Sequence, residues 1–288
     1  MDIDRKSDTR TEFAKFGFVE ASQRIEGLHA KFVRHEFATH VHDTWAVGAV
    51  LSGAKDISPK REPRRVVTDG DCYALPPHRP HAGRSVSDHC EYVMLYVPDQ
   101  EWREQCAAYG VDPEKFLNSV SSRPQFARQL ASFVGLVLRY PEMVAKWTGE
   151  WAVFCEAIFS PPGCTEFAQA RVASACGSRD FRIVRARDYL REFWDKNVSL
   201  AELAREASMS TYELCRRFSA TYGLTPHRYQ LVLRLTSAKS QLLQGASISE
   251  VATDTGFSDQ SHLGRHFKSV FGVTPGTVVR EAARSREK

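Results

Sequence analysis

One stretch of this chain is written twice, and the repetition limits its fold more than any other feature. SLAELAREASMS at 199–210 is echoed 48 residues on by SISEVATDTGFS at 247–258, and RFSATYGLTP at 217–226 is echoed by HFKSVFGVTP at 266–275. Each copy opens on a serine with a glutamate three residues later, Ser199/Glu202 and Ser247/Glu250, the pattern of a reciprocal N-terminal cap. A short apolar-periodic helix then reaches a small turn, Glu206 to Met209 or Thr255 to Phe257, and a second helix opens at Ser210 or Ser258. Two short helices joined this tightly read as helix-turn-helix.

The charge follows the repeat. From Arg179 onward there are 18 Lys and Arg against 12 Asp and Glu, net +6; the preceding residues hold 21 against 23, net −2. A basic excess can be no more than a solvated face, but gathered on a helix-turn-helix region it is what neutralising phosphates requires. The seven cysteines (72, 90, 106, 155, 164, 176 and 215) are scattered, odd in number and without a CxxC pair. They point to reduced thiols, with neither a disulfide frame nor a zinc knuckle. The polar opening MDIDRKSDTR lacks the apolar run of a secretory signal, and no stretch is apolar enough to span a bilayer. A cytoplasmic protein with no membrane partner is the expectation.

After a flexible tail at 1–12, short apolar and aromatic runs (FAKFGFVE, LHAKFVRHEF, WAVGAVLSG, RRVV, DCYAL, EYVMLYV) alternate with Gly, Pro and Asp turns. Such spacing predicts a β barrel or sandwich over 13–97. Within it, His40-Val41-His42 puts two imidazoles on one strand face, and GDCYALPPHRPHAG at 70–83 supplies His78 and His81. These two segments resemble the paired motifs of the cupin barrel, and that resemblance carries three metal-ligand histidines onto His40, His42 and His81. The glutamate of the first motif falls on Ala46 or Val47, so a fourth ligand is missing, and His78 stands where the second motif has Gly. The expectation is therefore no bound metal, with His40, His42 and His81 as the candidates should one be held. A barrel mouth is a usual place for a small ligand. His40, His42, Trp45, Tyr73, His78 and His81 are the candidate effector contacts, against the plain alternative of rings packed into core or rim.

Beyond Pro98 the pattern turns helical over 98–160. Phe126, Leu130, Phe133, Val134, Val137 and Leu138 recur at helical steps, as do Val144, Trp147, Trp151, Phe154 and Ile158, each set marking an amphipathic helix. Helices here can cover the barrel or pair with another subunit; a symmetric homodimer is the expectation. SPPGCTEFAQ and ASACGS then read as a linker over 161–180.

The end of the chain, 181–288, has legible helix boundaries. A helix around Ile183 to Phe193 comes first. Leu200, Leu203 and Ala204 face inward after the Ser199 cap, and Leu214, Phe218 and Tyr222 do so after Ser210. That leaves Thr211, Tyr212, Cys215, Arg216 and Ser219 on the outer side, in a row suited to the major groove, where Arg can grip guanine O6 and N7. Thr225-Pro226 opens a long connecting helix with Leu231, Leu235, Ala238, Leu242 and Leu243 inward. In the second copy the outer row is Gln260, Ser261, Gly264, Arg265 and Lys268, one residue having been inserted, so that Arg265 answers Arg216. Gln can bond adenine N6 and N7. Gly264 costs about 1 kcal/mol of helix stability relative to Ala.

Residues 181–280, with RLTSAKSQLL in the connecting helix and GFSDQSHLGRHFKSVFGVTP in the second unit, resemble the DNA-binding domain of the AraC/XylS family of bacterial transcription regulators. The resemblance implies a multidomain α+β protein: an N-terminal cupin-like β barrel with following dimerisation helices, then an all-α domain whose two helix-turn-helix units share one connecting helix. It implies double-stranded promoter DNA and a small-molecule effector as partners, with RNA polymerase too if the protein activates. No catalytic triad, phosphate-binding glycine loop or cofactor motif is present, so no enzymatic activity and no cofactor are expected. The rival reading, a metal-binding cupin enzyme or sensor fused to a DNA-binding domain, rests on the three histidines.

Overall fold

The computed structural model describes residues 12–286 apart from 21–23, 34, 60–61, 117–119, 141–147 and 160–179. The expected tail and linker, and with them Val144 and Trp147, lie almost wholly outside the described residues.

The N-terminal part is one antiparallel sheet built from β1 (Phe13–Glu20), β2 (Arg24–Phe32), β3 (Glu36–His40), β4 (Thr44–Asp56), β5 (Val66–Thr68), β6 (Asp71–Leu75), β7 (His81–Pro98) and β8 (Val120–Ser122). Its ladder runs β1-β2-β7-β4-β6-β8, with β3 on β7 and β5 on β4. Two findings refine the sequence reading. The run LHAKFVRHEF is split between β2 and β3, and the sheet reaches past residue 97 to take in β8. The long strand β7 bends the sheet: its first half pairs β3, its second half pairs β2, and β4 flanks it with register shifts between Val50/Ser52 and Gly53/Lys55. Such irregularities sharpen strand twist and let a sheet curl.

Period-two alternation gives the sheet two apolar faces. On β4, Trp45, Val47 and Ala49 point to one side, and Ala46 and Val50 to the other. The outer side is covered by α1 (Asp99–Ala108), α2 (Pro124–Arg139) and α3 (Thr148–Phe159). Phe126, Leu130, Phe133, Val134 and Val137 of α2 and Phe154 and Ile158 of α3 are buried there, with Trp102 of α1. The apolar stripes that sequence left free to join another subunit are thus used within the chain, as a cover for the sheet.

The C-terminal part comprises α4 (Phe181–Glu192), α5 (Leu200–Glu206), α6 (Thr211–Tyr222), α7 (Pro226–Leu243), α8 (Ile248–Asp254), α9 (Gln260–Phe271) and α10 (Pro275–Arg286). The caps follow the sequence with two corrections. Ser199, Ser210 and Ser247 each accept from the backbone N–H of the glutamate three residues on. The reciprocal bond is made by Glu250, whereas Glu202 accepts from Tyr189 Oη and Glu213 pairs with Arg217. Asp259, and not Ser258, caps α9, its carboxylate accepting from His262 N at 2.7 Å. The inserted residue therefore lies in the turn, and the two second helices stay in phase. Leu200 also departs from expectation: it is 43% exposed.

The α7 helix holds the two units together. Tyr229 and Val232 join the core of the first unit with Ile183, Leu214 and Phe218, while Leu235, Ala238 and Leu242 join that of the second. That second core is continuous with the inner face of the sheet: Leu263, Phe267, Val270 and Phe271 form one cluster with Phe16, Leu28, Phe32 and Met94. Here α9 lies on β3 and α10 on β1. Close approach is possible because Gly272, at φ 77°, has no side chain: a Cβ there would stand 2.7 Å from Phe32 Cζ and 2.9 Å from Phe37 Cε1. Gly272→Ala should destabilise the protein by about 1–2 kcal/mol for the left-handed backbone alone, while Gly264→Ala, with open space around it, should stabilise α9 by up to about 1 kcal/mol. Urea denaturation of the two variants checks this opposite pair of signs.

Candidate DNA-reading helices and effector cavity

The two outer rows are presented to solvent by the cores beneath them. On α6, Leu214, Phe218 and Tyr222 are buried while Thr211, Tyr212 and Arg216 are exposed, Tyr212 at 77%; Cys215 and Ser219 are half-buried. On α9, Leu263, Phe267 and Val270 are buried while Gln260, Ser261, Arg265 and Lys268 are exposed and Gly264 is half-buried. Burial of one stripe turns the opposite stripe outward, so Arg216 and Arg265 occupy equivalent exposed positions.

Sequence reading missed the residues that fix these helices relative to each other. Arg234 of α7 donates to the carbonyls of Trp194, Lys196 and Gly256 and to Asn197 Oδ1. It thereby ties the end of α4 to the turn before α9. Gln230, one turn earlier and buried, donates to the carbonyls of Phe193, Trp194 and Lys196. Nearly all their acceptors are backbone carbonyls, so nothing in the spacing of Gln230 and Arg234 marks them as connectors.

Beneath the sheet, the surface shared with α9 lines a partly open cavity of about 40 Å³, room for a few waters, so a small molecule there would widen it by moving side chains. Its walls include Phe16, Leu28, Tyr92 and Met94 from the strands, Val270 and Phe271 from α9, and the polar groups His40, His42, Lys55, Tyr73 and His81. Four of the six candidate effector contacts, His40, His42, Tyr73 and His81, thus come together. Trp45 does not: it projects from the other face of β4, stacks on Trp102 at 4.8 Å and donates to Asp99 Oδ1. His78 does not either. Its ring lies between Tyr229 Oη at 3.1 Å and Arg191 Nη1 at 3.2 Å, bridging the sheet domain to α4 and α7. Its φ of 61° explains why a glycine suits that position in related motifs. Lys55, which sequence did not single out, lines the cavity because the β4 bulge turns this charged residue inward.

The expected strand face for His40 and His42 is not formed, since β3 ends at His40 and His42 lies in the connection to β4; the two rings nonetheless converge with His81, the three offering ligand atoms within 4.8 Å of one another. Nδ1 of His40 and of His81 donates to the carbonyls of Ala38 and Arg79, which leaves Nε2 unprotonated in each ring. That donor set alone would suit a borderline divalent ion. No carboxylate is among the cavity-lining residues, so water or an effector would have to fill the fourth place, and the positive charge of Lys55, acting on both His40 and His81, opposes a cation there.

A second polar link joins the domains beside the cavity. Lys239 of α7 pairs with Glu26 of β2 at 2.5 Å, its ammonium standing 5.0 Å from the Tyr96 ring and 5.4 Å from that of Phe271. Both partners are largely buried, so Glu26→Ala should cost about 3 kcal/mol by stranding the ammonium, measurable by denaturation.

Two family models match the chain, an AraC-like ligand binding domain over residues 23–143 and a helix-turn-helix domain over residues 203–281. The chain belongs to the AraC family of transcription regulators. Like others of this AraC type, it joins a ligand-binding sheet domain to a DNA-binding helical one. It is 25% identical over 248 residues to the HTH-type transcriptional regulator YbfI of Bacillus subtilis, covering 83% of this chain and 86% of that protein. It is 24% identical over 271 residues to the transcriptional activator RhaS of Pectobacterium carotovorum, covering 88% and 90%. The fold is similar to that of ToxT from Vibrio cholerae, with a TM-score of 0.56 over 94% of this chain and 98% of that one at 12% identity.

Burial holds the inward histidines neutral in this AraC-type chain. His40 is pushed down to about 4, His78 down to about 3, and His42 and His81 well below the ordinary value. An unfolded chain takes up these protons near pH ~6.5, while the fold refuses them. The stability the neutral rings contribute is therefore complete above about pH 6.5 and lost as pH falls toward about 4, by about 1.4 kcal/mol per pH unit for each proton taken up. Urea midpoints should fall steeply between pH 6.5 and 5.

Proposed function

We propose that this AraC-type regulator reads promoter DNA with α6 and α9 and that its effector occupies the cavity between the sheet and α9. Arg216, Tyr212, Thr211, Cys215 and Ser219 would face one major-groove segment, and Arg265, Gln260, Ser261, Gly264 and Lys268 the next. The observation that carries the reading is that both rows are outward-facing on helices whose inner stripes are locked in the cores. An effector touching Phe271 would act on the helix that carries Arg265, which gives it a route to DNA affinity.

On this reading the protein acts without catalysis, in the cytoplasm; no helix among the described residues is long and apolar enough to cross a membrane. A homodimer would double the two groove segments read by one chain. Since the apolar stripe of α2 already covers the sheet, the dimer contact would use other surfaces. Contact with RNA polymerase follows if the protein activates.

Arg216→Ala and Arg265→Ala should each lose about 1–3 kcal/mol at particular base pairs of a selected operator while leaving thermal stability unchanged. Equal weakening on every sequence would remove base reading by these residues. Affinity should fall linearly in a log–log plot against salt. Selection of bound genomic fragments, followed by titrations of the variants, supplies both readings.

A further inference from the structure

The cavity holds one full positive charge that no negative group among the described residues answers. Lys55 is 7% exposed. Its ammonium makes one hydrogen bond, to Tyr73 Oη at 3.1 Å, and stands over the face of Tyr92 at 3.6 Å from the ring centroid. Among the described residues no carboxylate oxygen lies within the 4.0 Å ion-pairing distance of its Nζ. Asp56, next in the strand, is committed to Arg84 at 2.7 Å and Arg64 at 3.8 Å. An ammonium has three donors, so among the described residues two find no oxygen or nitrogen acceptor, in a setting where an unpaired charge is expensive. Tyr73 has a donor in reserve as well. Its Oη gives its proton to Met94 Sδ at 2.9 Å, and a thioether is a weak acceptor that a carboxylate would displace.

Resting on the reading of this cavity as the effector site, we propose that the effector is a small carboxylic acid with an apolar body, its carboxylate held by Lys55 Nζ and Tyr73 Oη. The body would lie against Phe16, Leu28 and Phe271, widening the small cavity between them as it enters, so that the acid spans from strand to recognition helix. One lysine neutralises one charge, so a monoanion fits, whereas a dianionic phosphate ester would bury a second charge without a partner. Burial lowers the Lys55 ammonium to about 8, leaving it charged at neutral pH. An anion must therefore bind with it protonated, and its affinity falls as pH rises beyond about 8.

Calorimetry on the full chain with phenylacetate and octanoate, each beside its neutral counterpart phenylacetamide or octan-1-ol, tests this. At pH 7 at least one acid should bind about tenfold or more tightly than its neutral counterpart, and its affinity should drop between pH 7 and 9. Lys55→Met, with a stem of similar length, should lose about tenfold or more in acid affinity and the pH dependence with it. Tyr73→Phe removes only the O–H and should weaken the acid about fivefold, which keeps the test open should Lys55→Met fail to fold. Neutral compounds binding as tightly as the acids, acid binding unchanged in both variants, or no binding by either acid would overturn the proposal. DNA titrations on the same preparations separate this from the reading beneath it. A neutral compound that alters DNA affinity leaves the effector cavity standing without the Lys55 anchor. An acid that needs Lys55 but leaves DNA affinity unchanged leaves the anchor standing without the effector role.

Discussion

The concave face of the sheet cannot close on its own, and the second helix-turn-helix unit closes it. Leu263, Phe267, Val270 and Phe271 share one apolar cluster with Phe16, Leu28, Phe32 and Met94, so two domains that sequence separates by a linker have a core in common. Apolar burial at about 25 cal/mol per Å² makes such a contact strong. It is also local enough to be altered by what fills the space beside it. The Lys239 to Glu26 pair and the bonds of His78 to Tyr229 and Arg191 fix the same interface at its polar edges.

Legibility in the sequence tracks periodicity. The helical repeat was readable because its signals are local: a capping serine, apolar residues at steps of four, Gly223 and Gly272 in the left-handed conformation after a helix. The sheet domain was readable as β but not in detail. The split of β2 from β3 and the late strand β8 depend on long-range pairing that no short window contains.

The cavity shows the same limit. Two of the histidines are marked by their spacing of two, although β3 stops at His40 and His42 lies just beyond it, and all three by their likeness to cupin motifs. Trp45 was misplaced because an aromatic near a barrel mouth fits either face until the strand phase is known, and here the phase sends it to Trp102. Lys55 was missed for the opposite reason. A lysine in a strand reads as solvent-facing, and it is the register shift between Gly53 and Lys55 that turns it inward. Arg234 and Gln230 escaped because their partners are backbone carbonyls, which carry no sequence signature.

If the second unit is part of the sheet's core, its fate on unfolding must be shared. Native-state hydrogen exchange on the full chain, followed through low denaturant, measures that directly. The amides of Leu263 to Phe271 should open in one cooperative step with those of β2 and β7, at a common free energy. Opening of α9 and α10 at a lower free energy, with the sheet still protected, would contradict the shared core and the route from cavity to DNA that depends on it.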